Sequence, residues 1–241
     1  MRLDKFLAHT TGNSRSDVKR FLRQKAVQVA GEVVTSGSFH VDVNQQIVTI
    51  FGDVINYEQY VYLLLNKPAG YLSATKDGQT KTVMALIDAV DRRFDLAIAG
   101  RLDKDTEGLL ILTNDGQFLH DVITPKKQVY KKYLAKIEGE LTAAKIATLE
   151  RGVVIKDGKD LDFKTAPARV KLVLPTLVEI EICEGKFHQV RRMLAHVGCF
   201  VVHLQRVAIG ELTLDNDLKL GEYRKLKEAE LDAVKKNPQS E

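Results

Sequence analysis

The sequence predicts an α+β chain in two parts: a small N-terminal module of two helices and a hairpin, then a larger, mixed and largely antiparallel β-sheet with flanking helices. Three observations predict it. Apolar residues recur at helical spacing over residues 2–10 and again over 14–25. The pattern then changes to alternation from Val27, around an Ala30-Gly31 turn. Beyond Tyr60, strand-like runs outnumber helical ones.

The first helix carries Leu3, Phe6 and Leu7 on one face and ends at Gly12-Asn13. Ser14 caps the second, with Asp17 three residues on as a weaker form of the capping box. Val18, Phe21 and Leu22 turn inward there, while Arg15, Lys19 and Arg23 recur every fourth residue and share one outer face. Val27, Val29 and Val33 make the hairpin, and residues 48–50 add a strand that closes a module of residues 1–58. A buried strand opens the larger part at residues 60–65. Strands follow at 109–112, 130–138, 170–173, 177–182, 200–204 and 211–214, with helices at 117–123, 142–150 and 189–196. The second part is expected to span residues 59–234, and 235–241 to form a polar, frayed tail.

Hydrophobic residues make up 44% and charged residues 28% of the 241, the balance of a chain that folds in water. No apolar run approaches the ~18–20 residues of a membrane helix. Only two cysteines occur, Cys183 and Cys199, too few for a disulfide framework. A cytoplasmic protein without membrane contact is expected. The net charge is only +4, but its distribution is uneven. Basic clusters occupy residues 1–25, 126–136 and 185–210, and read as patches facing a polyanion.

Several chemistries are excluded by spacing. The glycines fit neither the dinucleotide fingerprint nor a Walker A loop, and there is no GxSxG elbow. Cys183, His188, Cys199 and His203 follow no closed zinc pattern, so no metal site is assigned. The segment of residues 99–116 is different: Asp103, Asp105 and Glu107 sit in a loop between an apolar stretch and a buried strand. Such a loop can present a reactive carboxylate. The plainer reading is a turn made by Gly100 and Asp103, with Arg101 as a local partner. A glycosidase-like carboxylate pair is also open on these residues alone.

Further landmarks accompany that loop. They are Gly100-Arg101-Leu102-Asp103 with Asp105-Thr106 and Gly108-Leu109, Asn66-Lys67-Pro68-Ala69-Gly70, Lys131-Lys132-Tyr133-Leu134, the basic run from Glu184 to Met193, and a closing stretch from Arg206 to Arg224. In this order they resemble the motifs of the RsuA/Rlu branch of pseudouridine synthases, and the closing stretch is most similar to the small-subunit (RsuA) type. Residues 1–58 resemble the S4-type RNA-binding module that precedes the catalytic domain in that family. One departure is Ala30, where such hairpins usually carry Asn or Asp before the glycine; alanine tolerates positive φ poorly, so a different turn type is expected.

The resemblance implies isomerisation of uridine to pseudouridine in ribosomal RNA, most closely the 16S RNA (the uridine-516 class), with a flipped-out nucleotide and no cofactor. It implies Asp103 as the essential carboxylate, Tyr133 as the residue stacking on uracil, and Arg191 as the basic partner of Asp103. Read without the family, Tyr133 is a core aromatic and Arg191 a phosphate contact. Arg101 and Lys67 are further expected substrate contacts. Arg2, Lys5, Arg15, Lys19, Arg23 and Arg192 are expected to meet RNA phosphates. The implied partner is ribosomal RNA or an assembling small subunit, met by a monomer. The alternatives are a 23S RNA synthase of the same branch and a non-catalytic S4-type assembly factor; a glycoside hydrolase would leave the basic N-terminal module unexplained.

Overall fold

In the computed structural model, which describes residues 1–237, the first helix forms where the apolar spacing predicts it. α1 (Leu3–Thr11) buries Leu3, Phe6 and Leu7, and Gly12 ends it in the left-handed region at φ 69°. α2 (Arg15–Arg23) starts at Ser14, whose Oγ accepts from the Asp17 N–H at 3.2 Å. Val18 and Leu22 are buried in it, while Arg15, Lys19 and Arg23 are exposed. Four short strands follow: β1 (Val27–Val29), β2 (Glu32–Val33), β3 (Val48–Ile50) and β4 (Asp53–Ile55), in the order β2-β1-β3-β4.

This unit corrects three expectations. Val33 faces outward at 50% exposure, and Val34 packs against the core instead. The turn keeps the positive-φ pattern of a type I′ hairpin, with Ala30 at 51° and Gly31 at 85°, so Ala30 bears the strain rather than changing the turn. Ala30→Asn is therefore expected to stabilise this unit by about 0.5–1 kcal/mol, read as a higher urea midpoint with an unchanged slope. Finally, the compact unit comprises Met1–Val61 together with Ile87–Asp95, which holds α3 (Ala89–Arg92), rather than ending at residue 58. The reason is packing: Phe94 is buried with its ring centroid 5.4 Å from that of His9, and Gly12 leaves just the room that the Arg93 side chain occupies.

The second unit is built on one large sheet. Its strands are β5 (Tyr62–Lys67), β6 (Ala97–Ala99), β7 (Glu107–Thr113), β8 (Lys131–Glu138), β11 (Arg169–Leu174), β12 (Leu177–Ile182), β13 (Phe200–Ile209), β14 (Leu212–Thr213) and β15 (Tyr223–Lys225); β9 (Val154–Lys156) and β10 (Asp162–Lys164) pair separately as a hairpin. The sheet order is β11-β12-β8-β13-β7-β5-β15, with β6 added to β7 and β14 to β13. The β13–β7 pair is parallel and the other pairs are antiparallel. The helices are α4 (Gly116–Ile123), α5 (Ala143–Glu150), α6 (Gln189–His196) and α7 (Glu228–Lys235).

Residues 63–67 of β5 are buried without alternation, as expected of a central strand covered on both faces. β8 alternates cleanly, with Lys131, Tyr133, Ala135 and Ile137 buried. One core joins Leu64, Leu109, Ile111, Phe118, Val122 and Ile209 to Val234 of α7. That contact corrects the expected tail. Lys235 closes α7, and the Asn237 side chain accepts from the Tyr130 N–H at 3.1 Å. Residues 238–241 of the expected tail lie outside the described residues.

Candidate active site

The loop of residues 100–106 joins β6 to β7 and carries Asp103 and Asp105. Its shape is held by side chains that bond to its backbone. Ser73 Oγ donates to the Leu102 carbonyl at 2.7 Å and accepts from the Leu102 N–H at 3.1 Å. The Gly70 N–H donates to the Lys104 carbonyl at 2.8 Å. Lys67, at 0% exposure, donates through Nζ to the carbonyls of Thr106 (2.7 Å), Asp103 (3.0 Å), Lys104 (3.2 Å) and Pro68 (3.2 Å). Burial pulls the Lys67 pKa down to about 8.

The other side of the loop is held by Arg206, which is 1% exposed. Its guanidinium donates to the Gly100 carbonyl at 2.7 Å and to the Leu109 carbonyl at 2.8 Å, so it grips the chain before and after the loop. The register needs a glycine at 108: it lies at φ 101°, and a Cβ there would overlap the Arg206 carbonyl oxygen. Tyr133, 7% exposed, is paired directly with Arg206 across β8 and β13, and the guanidinium lies 6.0 Å from its ring centroid.

On this scaffold the Asp103 carboxyl keeps 28% of its side chain exposed. Burial pushes its pKa up; His188 opposes that most strongly, Asp105 adds to the rise, and Arg191 and Lys67 also oppose it. The His188 ring nitrogen Nε2 is 3.8 Å from Asp103 Oδ1. Arg191 is not paired with Asp103, as the motif match leads one to expect. Its guanidinium meets Asp105 at 2.9 Å and the Val201 carbonyl at 3.1 Å, because α6 delivers it to the outer end of the loop. Its Nε is buried without an acceptor among the described residues.

The remaining expected site residues divide by burial. Arg101 is exposed, two residues before Asp103 in the chain. Lys67 is sealed beneath the loop, where its ammonium is taken up by backbone carbonyls. Arg192 holds the β9–β10 turn, donating to the carbonyls of Lys156 and Asp157, and lies over the Phe187 ring. In the first unit, Lys5, Arg15, Lys19 and Arg23 are exposed, whereas Arg2 pairs with Asp4 at 2.6 Å. The cluster at 126–136 is not one basic patch: Lys131 is buried, and Lys132 pairs with Glu179 and Glu181. Residue types alone did not single out Ser73, Arg206 or His188 as site residues. Their signal is a polar side chain inside an otherwise apolar or basic segment.

The pattern that defines the RNA pseudouridylate synthase family matches residues 61–196, and the S4 domain pattern matches residues 1–47. The chain is 43% identical over 235 residues to the uncharacterised RNA pseudouridine synthase YtzG of Bacillus subtilis, covering 96% of this chain and 97% of that protein. It is 41% identical to ribosomal small subunit pseudouridine synthase A of Yersinia pestis, covering 97% and 98% of the two chains. The protein of the same name from Escherichia coli K12 is 39% identical, with 97% and 100% covered. A solved structure described as a pseudouridylate synthase superposes with a TM-score of 0.68 at 34% identity, over 97% of this chain and 99% of its own. Sequence, fold and full-length relatives agree: the chain belongs to the RNA pseudouridylate synthase family, isomerases of RNA, and carries an S4 domain at its N-terminus.

Proposed function

We propose that this enzyme converts uridine to pseudouridine in the 16S RNA of the small ribosomal subunit, at the uridine-516 class of site, with Asp103 as the reactive carboxylate. The observation that carries the reading is the loop itself: four tethers (Lys67, Gly70, Ser73 and Arg206) converge on one short segment and leave the Asp103 carboxyl partly exposed upon it. Full-length relatives named for the small ribosomal subunit support the choice of RNA.

In the isomerisation the C1′–N1 bond breaks and a C1′–C5 bond forms; the C5 proton leaves and N1 gains one. Nothing is oxidised or reduced, so the chain's own groups suffice. An ionised carboxylate beside the nucleoside is the requirement placed on Asp103. Tyr133 offers its ring to the uracil, and Arg191 and the exposed Arg101 supply positive charge at the carboxylate loop. Extruding the nucleotide costs a few kcal/mol, which phosphate contacts by Lys5, Arg15, Lys19 and Arg23 help to offset. Arg2 and Arg192 add charge at the periphery through partly engaged guanidinium groups. The setting that suits this reading is the cytoplasm, where a monomer meets ribosomal RNA or an assembling subunit. Among the described residues no helix is long and apolar enough to cross a membrane.

Carbodiimide mapping of ribosomal RNA from cells with and without the gene tests the target. One pseudouridine should vanish from 16S RNA; a loss confined to 23S RNA, or no loss, would overturn the assignment. The basic face of α2 has its own test. Because Ile87–Asp95 is built into the first unit, substitution is cleaner than deletion. Replacing Arg15, Lys19 and Arg23 together by Gln is expected to weaken RNA binding and to reduce the slope of log K against log salt by about 2. An unchanged slope would make these charges solvated and nothing more.

A further inference from the structure

The basic group in range of Asp103 is a histidine. His188 Nε2 lies 3.8 Å from Asp103 Oδ1, while Arg191 is engaged by Asp105 at 2.9 Å. Two local devices hold the imidazole there. As the residue preceding α6, His188 takes φ of 52°, in the left-handed region, which costs a residue with a Cβ about 1–2 kcal/mol and persists only when the surroundings impose it. Its ring also stacks on Phe187, with centroids 3.8 Å apart and planes at 21°. Phe187 is itself backed by Arg192, whose guanidinium lies 5.1 Å from the ring centroid and is anchored on the Asp157 carbonyl at 2.8 Å. A chain of contacts thus runs from the β9–β10 turn to the carboxylate.

We infer that His188 is a positioning residue that orients the Asp103 carboxylate and supplies the basic group within ion-pair distance of it. The inference rests on Asp103 being the reactive carboxylate. Besides His188, the charged groups that act most on Asp103 come from three elements: Asp105 from the same loop, Arg191 from α6 and Lys67 from β5. His188, Arg191 and Lys67 favour the ionised carboxylate, His188 most, while burial and Asp105 oppose it. Lys67 is spent on the backbone of the loop and Arg191 on Asp105 and the Val201 carbonyl, whereas His188 stands within ion-pair distance of the carboxylate itself.

The test compares single-turnover tritium release from a 16S transcript labelled at uridine C5, together with filter binding of the same transcript, for the wild type, His188→Gln and His188→Lys. His188→Gln, which removes the basic group, is expected to slow release about tenfold with RNA affinity within about twofold. His188→Lys, which returns a basic group, is expected to recover most of that loss. A Gln variant as fast as the wild type, a Lys variant as slow as Gln, or a parallel loss of RNA affinity would overturn the inference, because a purely structural histidine would not be rescued by charge. Asp103→Asn in the same assay separates the two levels: if that variant turns over normally, the assignment of the reactive carboxylate fails, whatever His188 does.

Discussion

Asp103→Asn is expected to slow single-turnover pseudouridine formation at least about a thousandfold while leaving RNA affinity nearly unchanged. The substitution preserves shape, and none of the bonds that hold the loop uses the carboxyl group. Lys67 binds the carbonyl of residue 103, and the Thr106 N–H donates to the same carbonyl at 3.1 Å. What disappears is the charge of the partly exposed carboxyl group. Asp105→Asn is the control. It breaks the 2.9 Å pair with Arg191, but the Asp105 side chain is 66% exposed, so that pair contributes little in water. It also removes a negative charge that resists ionisation of Asp103. The expected loss is below about threefold. Equal losses in the two variants would show that the reactive group has been assigned wrongly. The measurement is tritium release alongside filter binding at fixed salt.

Lys67→Met is expected to destabilise the second unit by about 3 kcal/mol and to reduce the rate at least about a hundredfold. Methionine matches the aliphatic stem of lysine and fills most of the same sealed space. It offers no proton, however, to the carbonyls of Asp103, Lys104 and Thr106, which share one ammonium in the native loop. Each buried acceptor left without a donor costs free energy, and the loop can recover solvation only by moving outward. Such a movement displaces Asp103, which is why stability and rate should fall together. Urea unfolding and single-turnover kinetics on the same preparation check this. A stable but slow variant would instead return Lys67 to the role of a substrate contact, and a variant unchanged in both would remove it from the site altogether.

Much of this molecule can be read along the chain. α1 and α2 are legible because their apolar residues recur at helical spacing and because Ser14 and Gly12 mark the boundary between them. α5 begins at Thr142, whose hydroxyl accepts from the Lys145 N–H as a capping residue should. β8 announces itself by alternation and β5 by an unbroken apolar run. β6, β9, β10 and β15 were not legible. Each is three residues long, too short for a period to show, and each exists because a neighbouring strand or helix supplies its bonds and cover. α7 was missed for a related reason: its sequence is mostly charged, and Val234 becomes meaningful only against the core it enters.

The candidate site divides the same way. By itself the sequence determined the carboxylate loop, the tyrosine strand and the basic helix, because each is a contiguous run whose residue types carry its chemistry. Tertiary structure alone decided which charge faces which. The Arg206 guanidinium reaches the Gly100 carbonyl across 106 residues of chain, only because β13 lies parallel to β7. Lys67 stands next to an exposed-looking Pro-Ala-Gly turn in the sequence, yet it is sealed under the loop and bonds to its backbone. Arg191 and His188 are three residues apart on one segment, and a left-handed backbone at His188 gives it Asp103 while the helix carries Arg191 to Asp105. Ion pairs and hydrogen bonds depend on separations of a few ångströms, and those are set by long-range strand pairing and burial, which no local pattern of residues encodes.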